Sequence, residues 1–231
     1  MVMPKAITFD CFGTLIDWEG EIQNFFKLIL ERHGVEDADV VALQRHWEKI
    51  QFDYIQEEYR PYKDVLKNTL PMAFRDYGYP FSAEDVINFS QSMGQWKPFP
   101  DTIEALKELK KYTKIALITN TDDAIIEETI KQLDVEFDAI VTAEQAGAYK
   151  ANHEGFYLAL KKLDLDKSDI LHTGFGFKYD VIPASELGIE SCWVNRYGEV
   201  RPANVKEDYL VGDMKTFALL IKGMAHSEES F

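Results

Sequence analysis

The sequence predicts an α/β fold: a parallel sheet with helices on both faces, split after its first strand by a helical insert. Three observations carry this. Short apolar segments rich in β-branched and aromatic residues recur along the C-terminal part of the chain. They alternate with segments of helical spacing, the pattern of a sheet covered on both sides. Between the first strand and the second, a long stretch carries helical periodicity only.

The elements follow in order. Residues 6–10 (AITFD) read as a buried strand ending in an acid, and Gly13 permits a tight turn after it. From about residue 19 to 94, apolar residues fall at helical spacing (Phe25, Leu28, Ile29; Val86, Ile87, Phe89). Turn signals near Gly34, Pro61, Pro71 and Gly78-Tyr79-Pro80 cut this stretch into about four helices. After Pro98 and Pro100 the alternation begins. Residues 101–111 read as a helix with an acidic start and a basic end. Strands are predicted at 114–119, 137–141, 169–172, 191–195 and 209–211. Helices are predicted at 123–133, 153–163, 180–187 and 214–222. The tail 225–231 is polar and expected to fray. The expected division is an α/β core from 1–16 and 95–231, with a helical cap domain at 17–94. An insert on the loop after a strand sits where open α/β sheets bind ligands, so it reads as a lid.

Composition narrows the function. With 231 residues, 46% hydrophobic and 13% aromatic, the chain has ample material for a packed core. Forty Asp and Glu against 25 Lys and Arg give a formal net charge of −15. Such a chain repels phosphate backbones and anionic lipid, which argues against nucleic-acid and membrane partners. A small anionic substrate stays compatible, because a local pocket field can oppose the global one. The two cysteines, Cys11 and Cys192, form no disulfide framework and fit a reducing cytoplasm. The first ten residues lack the marks of a secretory signal, so a cytoplasmic location is expected. No His/Cys cluster has metal-ligand spacing.

If the strands are right, their ends converge on one edge of the sheet. They deliver Asp10 and Thr14, then Thr119 and Asn120, then Lys150, then Asp180. An Asp there can be a nucleophile, and a nearby ammonium would keep it ionised and compensate its desolvation. Each residue alone has a structural reading: Asp10 as a turn former, Thr119 as a strand residue, Asp180 as a helix N-terminal acid. Their joint placement points to chemistry.

On these residues the sequence resembles the haloacid dehalogenase (HAD) superfamily of hydrolases. FDCFGT is similar to its first motif, with the nucleophile at Asp10; ITN is similar to the second at Thr119; Lys150 and Asp180 match the third and fourth. The resemblance implies a Rossmann-like core with a helical cap. Within the superfamily, phosphatases carry a second Asp two residues after the nucleophile, to protonate a leaving alkoxide. This chain has Phe12. Phosphatases also carry Gly-Asp in the fourth motif, whose acid helps hold Mg²⁺; this chain has Gly174-Phe175. A halide leaving group needs no proton. The resemblance therefore implies a metal-free, cofactor-free (S)-2-haloacid dehalogenase, and the segment WEKIQFDY (47–54) looks like part of that branch's cap.

The implied roles are these. Asp10 attacks carbon, Lys150 keeps it charged, and Thr14 orients it. Asp180 holds the hydrolytic water or Lys150. Thr119 and Asn120 bind the substrate carboxylate with N–H groups of the next helix start, and Cys11, Phe12, Phe175 and Phe177 wall the site. A homodimer is implied too. The chain also departs from the branch. Glu48 stands where the cap segment carries an Arg, leaving Arg45 or Arg60 as substitutes. Phe175 and Phe177 replace a Ser and an Asn, and Phe156 replaces a Tyr, with Tyr157 beside it. Two alternatives stay open: a phosphatase-like hydrolase, and a non-catalytic protein using the cleft to bind a small ligand.

Overall fold

The computed structural model describes residues 3–202 and 204–228. Six strands form one parallel sheet in the order β3-β2-β1-β4-β5-β6. They are β1 (Ala6–Phe9), β2 (Lys114–Thr119), β3 (Ala139–Thr142), β4 (Ile170–Gly174), β5 (Glu190–Val194) and β6 (Tyr209–Val211). The chain runs outward from β1 through β2 to β3, then returns to start β4 on the other side of β1. The topological switch therefore lies between β1 and β4, where α/β sheets leave a crevice at the carboxyl ends.

The alternation along the strands supplies two apolar faces. Ile7, Phe9, Leu117 and Cys192 join one cluster with Phe217 and Ile221. Ala6, Ala116, Ile118 and Val141 join a second with Phe156 and Ala159. Both faces are covered by helices: α5 (Thr102–Leu109), α6 (Asp123–Leu133), α8 (Glu154–Leu163), α9 (Ile182–Leu187) and α10 (Met214–Glu228). The expected Rossmann-like architecture is the one observed.

The insert between β1 and β2 is helical: α1 (Trp18–Arg32), α2 (Val40–Ile55), α3 (Tyr62–Asp76) and α4 (Ala83–Ser92). Its own centre is aromatic. Trp47 packs against Trp18 (5.6 Å between ring centroids), Phe26 (6.0 Å) and Phe89 (5.7 Å), and its indole N–H donates to Thr69 (2.9 Å). Asp17 and Asp39 cap α1 and α2 by accepting from Gly20 and Ala42, and a Ser82/Asp85 capping box starts α4. Helix α3 is capped from outside the insert. Asp122, on the loop after β2, accepts from the N–H groups of Tyr62 (2.6 Å) and Lys63 (2.9 Å).

Three expectations needed correction. Pro71 does not end a helix; it lies inside α3. A mid-helix proline costs about 3 kcal/mol. Burial of Leu66, Leu70 and Phe74 on the same helix stabilises by about 1.5–3 kcal/mol each, which outweighs it. A four-residue helix, α7 (Ala143–Ala146), follows β3 where no helix was expected. The C-terminal helix continues through Glu228, past the expected stop at 222, because Met224 is buried against the core. The rest of the expected frayed tail, 229–231, lies outside the described residues. Among the described residues no helix is long and apolar enough to cross a membrane.

Candidate active site at the carboxyl edge of the sheet

Asp10 is the first residue beyond β1, and its N–H donates to Thr173 O on β4 (3.0 Å). Gly13 then turns the chain at φ +97°. A Cβ there would lie 2.2 Å from the Phe175 ring, so both backbone and neighbour demand glycine. The turn brings Thr14 beneath Asp10. Its Oγ1 donates to Asp10 Oδ2 (2.8 Å) and accepts from the Phe175 N–H (2.9 Å). The Arg196 guanidinium donates to Thr14 O (3.0 Å) and pairs with Asp101 (3.1 Å), which pins the same loop from behind.

Lys150 arrives on the loop after α7. Its Nζ donates to Asp10 Oδ1 (2.8 Å) and to Asp180 Oδ1 (2.7 Å). Asn120 clamps its main chain: Oδ1 accepts from Lys150 N–H (2.7 Å) and Nδ2 donates to Lys150 O (3.0 Å). Asp180 lies in a single π-helical turn, Phe177–Val181, that leads into α9. Such turns often occur at functional sites. Its Oδ2 accepts from Gly176 N–H (3.1 Å), and a Cβ on Gly174 would come within 2.3 Å of that oxygen. Buried His172 bridges Asp180 Oδ1 (3.0 Å) and Thr8 Oγ1 (2.9 Å).

These bonds set the charges. Burial pushes the Asp10 carboxyl up, Lys150 opposes it, and the value reaches about 6. Asp10 is therefore ionised at neutral pH. Burial works against the Lys150 ammonium, but Asp10 and Asp180 outweigh it and hold its pKa above the ordinary value. Burial also opposes the Asp180 anion, yet Lys150 and His172 hold its pKa below the usual range. Burial lowers His172, so the imidazole is neutral.

Above Asp10 lies a cavity of about 40 Å³ between the sheet edge and the insert. Asp10, Phe12, Thr119, Asn120, Phe175 and Asp180 reach it, as expected from sequence. Thr14 and Lys150 sit behind Asp10 rather than on the wall. Thr119 Oγ1 is buried without a hydrogen-bond partner, a donor left over for a ligand. Trp18, Gln51, Tyr62, Met93 and Tyr179 also line the cavity. Sequence reasoning did not single out these five as wall residues one by one. Gln51 was within reach of it: one helical turn after buried Trp47, it shares that residue's inward face.

Other expected residues fall elsewhere. The same helical spacing turns Arg45, Glu48 and Lys49 outward from α2, so Arg45 lines a second, outer cavity and not the one over Asp10. Arg60 lies over the Tyr54 ring (4.4 Å) and pairs with Glu57. Neither supplies a cation to the inner cavity. Cys11 points into the apolar core, where burial raises its thiol well above the ordinary value. Phe177 packs edge-on against Trp193 (5.0 Å) and faces the outer cavity. Phe156 is buried on the far face of the sheet and Tyr157 is exposed, so neither meets Asp10. The first N–H of α6, on Asp123, is taken by the Glu144 carboxylate (2.8 Å) and is not offered to a ligand.

The donor set does not suit Mg²⁺. The carboxylates at the cavity are Asp10 and Asp180, and Lys150 bridges them. Phe175 presents a ring where a hard oxygen ligand would be needed, and the Phe12 ring lines the cavity beside it. Among the described residues, no group of three or more His, Cys, Asp or Glu side chains is placed to hold a metal.

Comparison with known proteins places the chain among hydrolases of related sequence and fold. The chain is 23% identical over 202 residues to haloacetate dehalogenase H-2 of Moraxella sp. (strain B), covering 84% of this chain and 87% of that relative. It is 24% identical over 204 residues to the (S)-2-haloacid dehalogenase of Pseudomonas sp. (strain YL), covering 85% and 84%. The solved L-2-haloacid dehalogenase RSc1362 superposes with a TM-score of 0.86 at 20% identity, over 96% of this chain and all of that one, which fixes the fold. The family model for haloacid dehalogenase-like hydrolases matches residues 4–188, and this chain belongs to that family of hydrolases.

Proposed function

We propose that the chain hydrolyses the carbon–halogen bond of a small (S)-2-haloacid. The observation that carries this reading is the Asp10–Lys150–Asp180 bridge with Phe12 and Phe175 around it: an ionised nucleophile with neither an acid for an alkoxide nor ligands for a metal. The residues of the insert then act as the cap of the site, closing residues 17–94 over the core.

The mechanism follows from the bonds. Asp10 keeps its charge through Lys150, while Thr14 fixes the carboxylate plane. One carboxylate oxygen attacks C2 of the haloacid. The new C–O bond forms as the carbon–halogen bond breaks, the electron pair leaves with the halide, and C2 inverts. Water then adds to the Asp10 ester carbonyl. One water proton goes to the C2 oxygen, which leaves as the 2-hydroxy acid; the other passes by way of the Asp180 carboxylate to solvent, and Asp10 is restored as a carboxylate. Asp180, anionic at the cavity wall, holds Lys150 and accepts the water's hydrogen bond. Thr119 Oγ1 and the Gln51 amide receive the substrate carboxylate in place of an arginine. The reading carries with it a cytoplasmic, homodimeric enzyme, with the buried free thiols Cys11 and Cys192 in keeping with a reducing compartment.

The test compares chloroacetate, (S)-2-chloropropionate and an aryl phosphate, with and without EDTA, for wild type and Asp10→Asn. Halide release that survives EDTA and vanishes in the variant is expected. Phosphate release that EDTA abolishes would reverse the reading.

A further inference from the structure

The cavity over Asp10 is small and its outer wall is aromatic. About 40 Å³ corresponds to roughly three water-sized units. On the far side of Phe175 and Tyr179 lies the outer cavity of about 470 Å³, between α2 and the loop after β4. These two residues line both spaces and form the partition between them.

Each ring is braced from the insert. Phe175 packs against Trp18 (6.2 Å) and Tyr179 against Phe52 (5.3 Å), whose ring also carries the Lys178 ammonium (4.9 Å). The Phe175 ring lies directly on Gly13, beside the nucleophile loop. Its main chain is held independently, by N–H to Thr14 and by O accepting from the Trp193 indole (2.8 Å). The ring can therefore be removed while the backbone that orients Asp10 stays bonded.

We propose that Phe175, seconded by Tyr179, is a specificity-determining residue that limits the acyl chain: the ring closes the inner cavity around a two- or three-carbon acid and excludes longer 2-haloacids. The assignment rests on the inner cavity being the haloacid site. A substrate carbon at C4 must point away from Asp10, and the partition stands there. Removing the ring joins the inner cavity to the outer one and gives the longer chain an apolar path.

The experiment measures kcat/KM for bromoacetate and (S)-2-bromobutyrate in wild type, Phe175→Ala and Phe175→Leu. A pocket that rejects or admits one or two methylenes discriminates by roughly ten- to a hundredfold. Wild type should favour bromoacetate by about tenfold or more, and Phe175→Ala should erase most of that preference, with Phe175→Leu between them. Phe175→Leu serves if the alanine variant fails to fold. Wild type that turns over both acids equally, or a folded alanine variant with an unchanged ratio, would overturn the proposal.

A second readout needs no turnover. Acetate and butyrate are added to thermal melts, where a bound ligand raises Tm by mass action. Acetate alone should stabilise wild type, and both should stabilise Phe175→Ala. Wild type stabilised by butyrate as well, or not stabilised by acetate at all, sinks the filter. Absent halide release together with the expected acetate and butyrate pattern sinks the dehalogenase reading and keeps the filter.

Discussion

A carboxylate walled off from water attacks carbon only while it stays ionised. Burial drives Asp10 toward its neutral form, and the Lys150 ammonium 2.8 Å away resists. The balance leaves a pKa of about 6, so protonation below that value removes the proposed nucleophile. The kcat/KM for halide release should rise with pH through a midpoint of about 6 and level off toward neutrality. The alkaline limb should lie far away, because both carboxylates raise Lys150. Replacing the cation exposes the sign. In Lys150→Met, burial and the Asp180 charge both raise Asp10 with only the Thr14 hydrogen bond opposing them. Its acid limb should move up from about 6, and kcat should fall by about a hundredfold or more, the scale of one lost electrostatic partner. A limb that stays in place would show that Lys150 does not set the Asp10 charge. At this scale Asp10, Lys150 and Asp180 were legible in the sequence, because polar residues at strand ends converge in an α/β sheet. Arg45 was not: its distance along the chain from Glu48 said nothing about which side of α2 faces the cavity. The wall residue Tyr179 was hidden for another reason, since the π-helical turn that aims it has no local composition signal.

Between elements, the contact most exposed to test is the one that holds α3. Pro61 gives that helix no side-chain cap, and Asp122 supplies one from the core, 59 and 60 residues away. Tyr149 adds a bond from its hydroxyl to Arg60 O (2.8 Å), one residue before Lys150. The insert is thus tied to the core beside the second and third motifs. Losing an N-cap costs about 0.5–2 kcal/mol. Asp122→Ala should lower Tm by roughly 1–8 °C for a chain of this size. It should also raise KM more than it lowers kcat, since the insert walls the cavity while the Asp10 bonds are untouched. Asp122→Asn keeps one acceptor oxygen and should fall between. A variant with wild-type Tm and KM would show that the tie carries no weight. The helices of the insert were visible in their spacing, but this cap was not, because Asp122 reads locally as the start of α6. The Pro71 error has the same root: the burial that keeps α3 continuous comes from its packing partners and is absent from the local sequence.

Across the whole molecule, charge opposes the proposed substrate. The net charge is −15, and a haloacid is an anion. Beyond the Phe175–Tyr179 partition, Arg45, Lys49 and Lys178 are offset by Glu48, Asp53 and Glu199 around the outer cavity. Burial and the Glu48 charge push Glu19 up to about 7, a sign of how crowded with carboxylates that rim is. The inner cavity adds no cation, because Lys150 is already shared by two carboxylates. An approaching anion therefore meets the field of the whole chain with no local field to reverse it. The Debye length shrinks from about 30 Å at about 0.01 M salt to about 8 Å at about 0.15 M. Screening should thus help the substrate: kcat/KM for bromoacetate should rise roughly threefold or more over that range, through KM. Neutral bromoacetamide, as a competing ligand in the same assay, should bind with no salt dependence. A fall in kcat/KM with added salt would mean that the rim cations steer the anion after all. Arg45→Ala and Lys178→Ala would then have to abolish that fall.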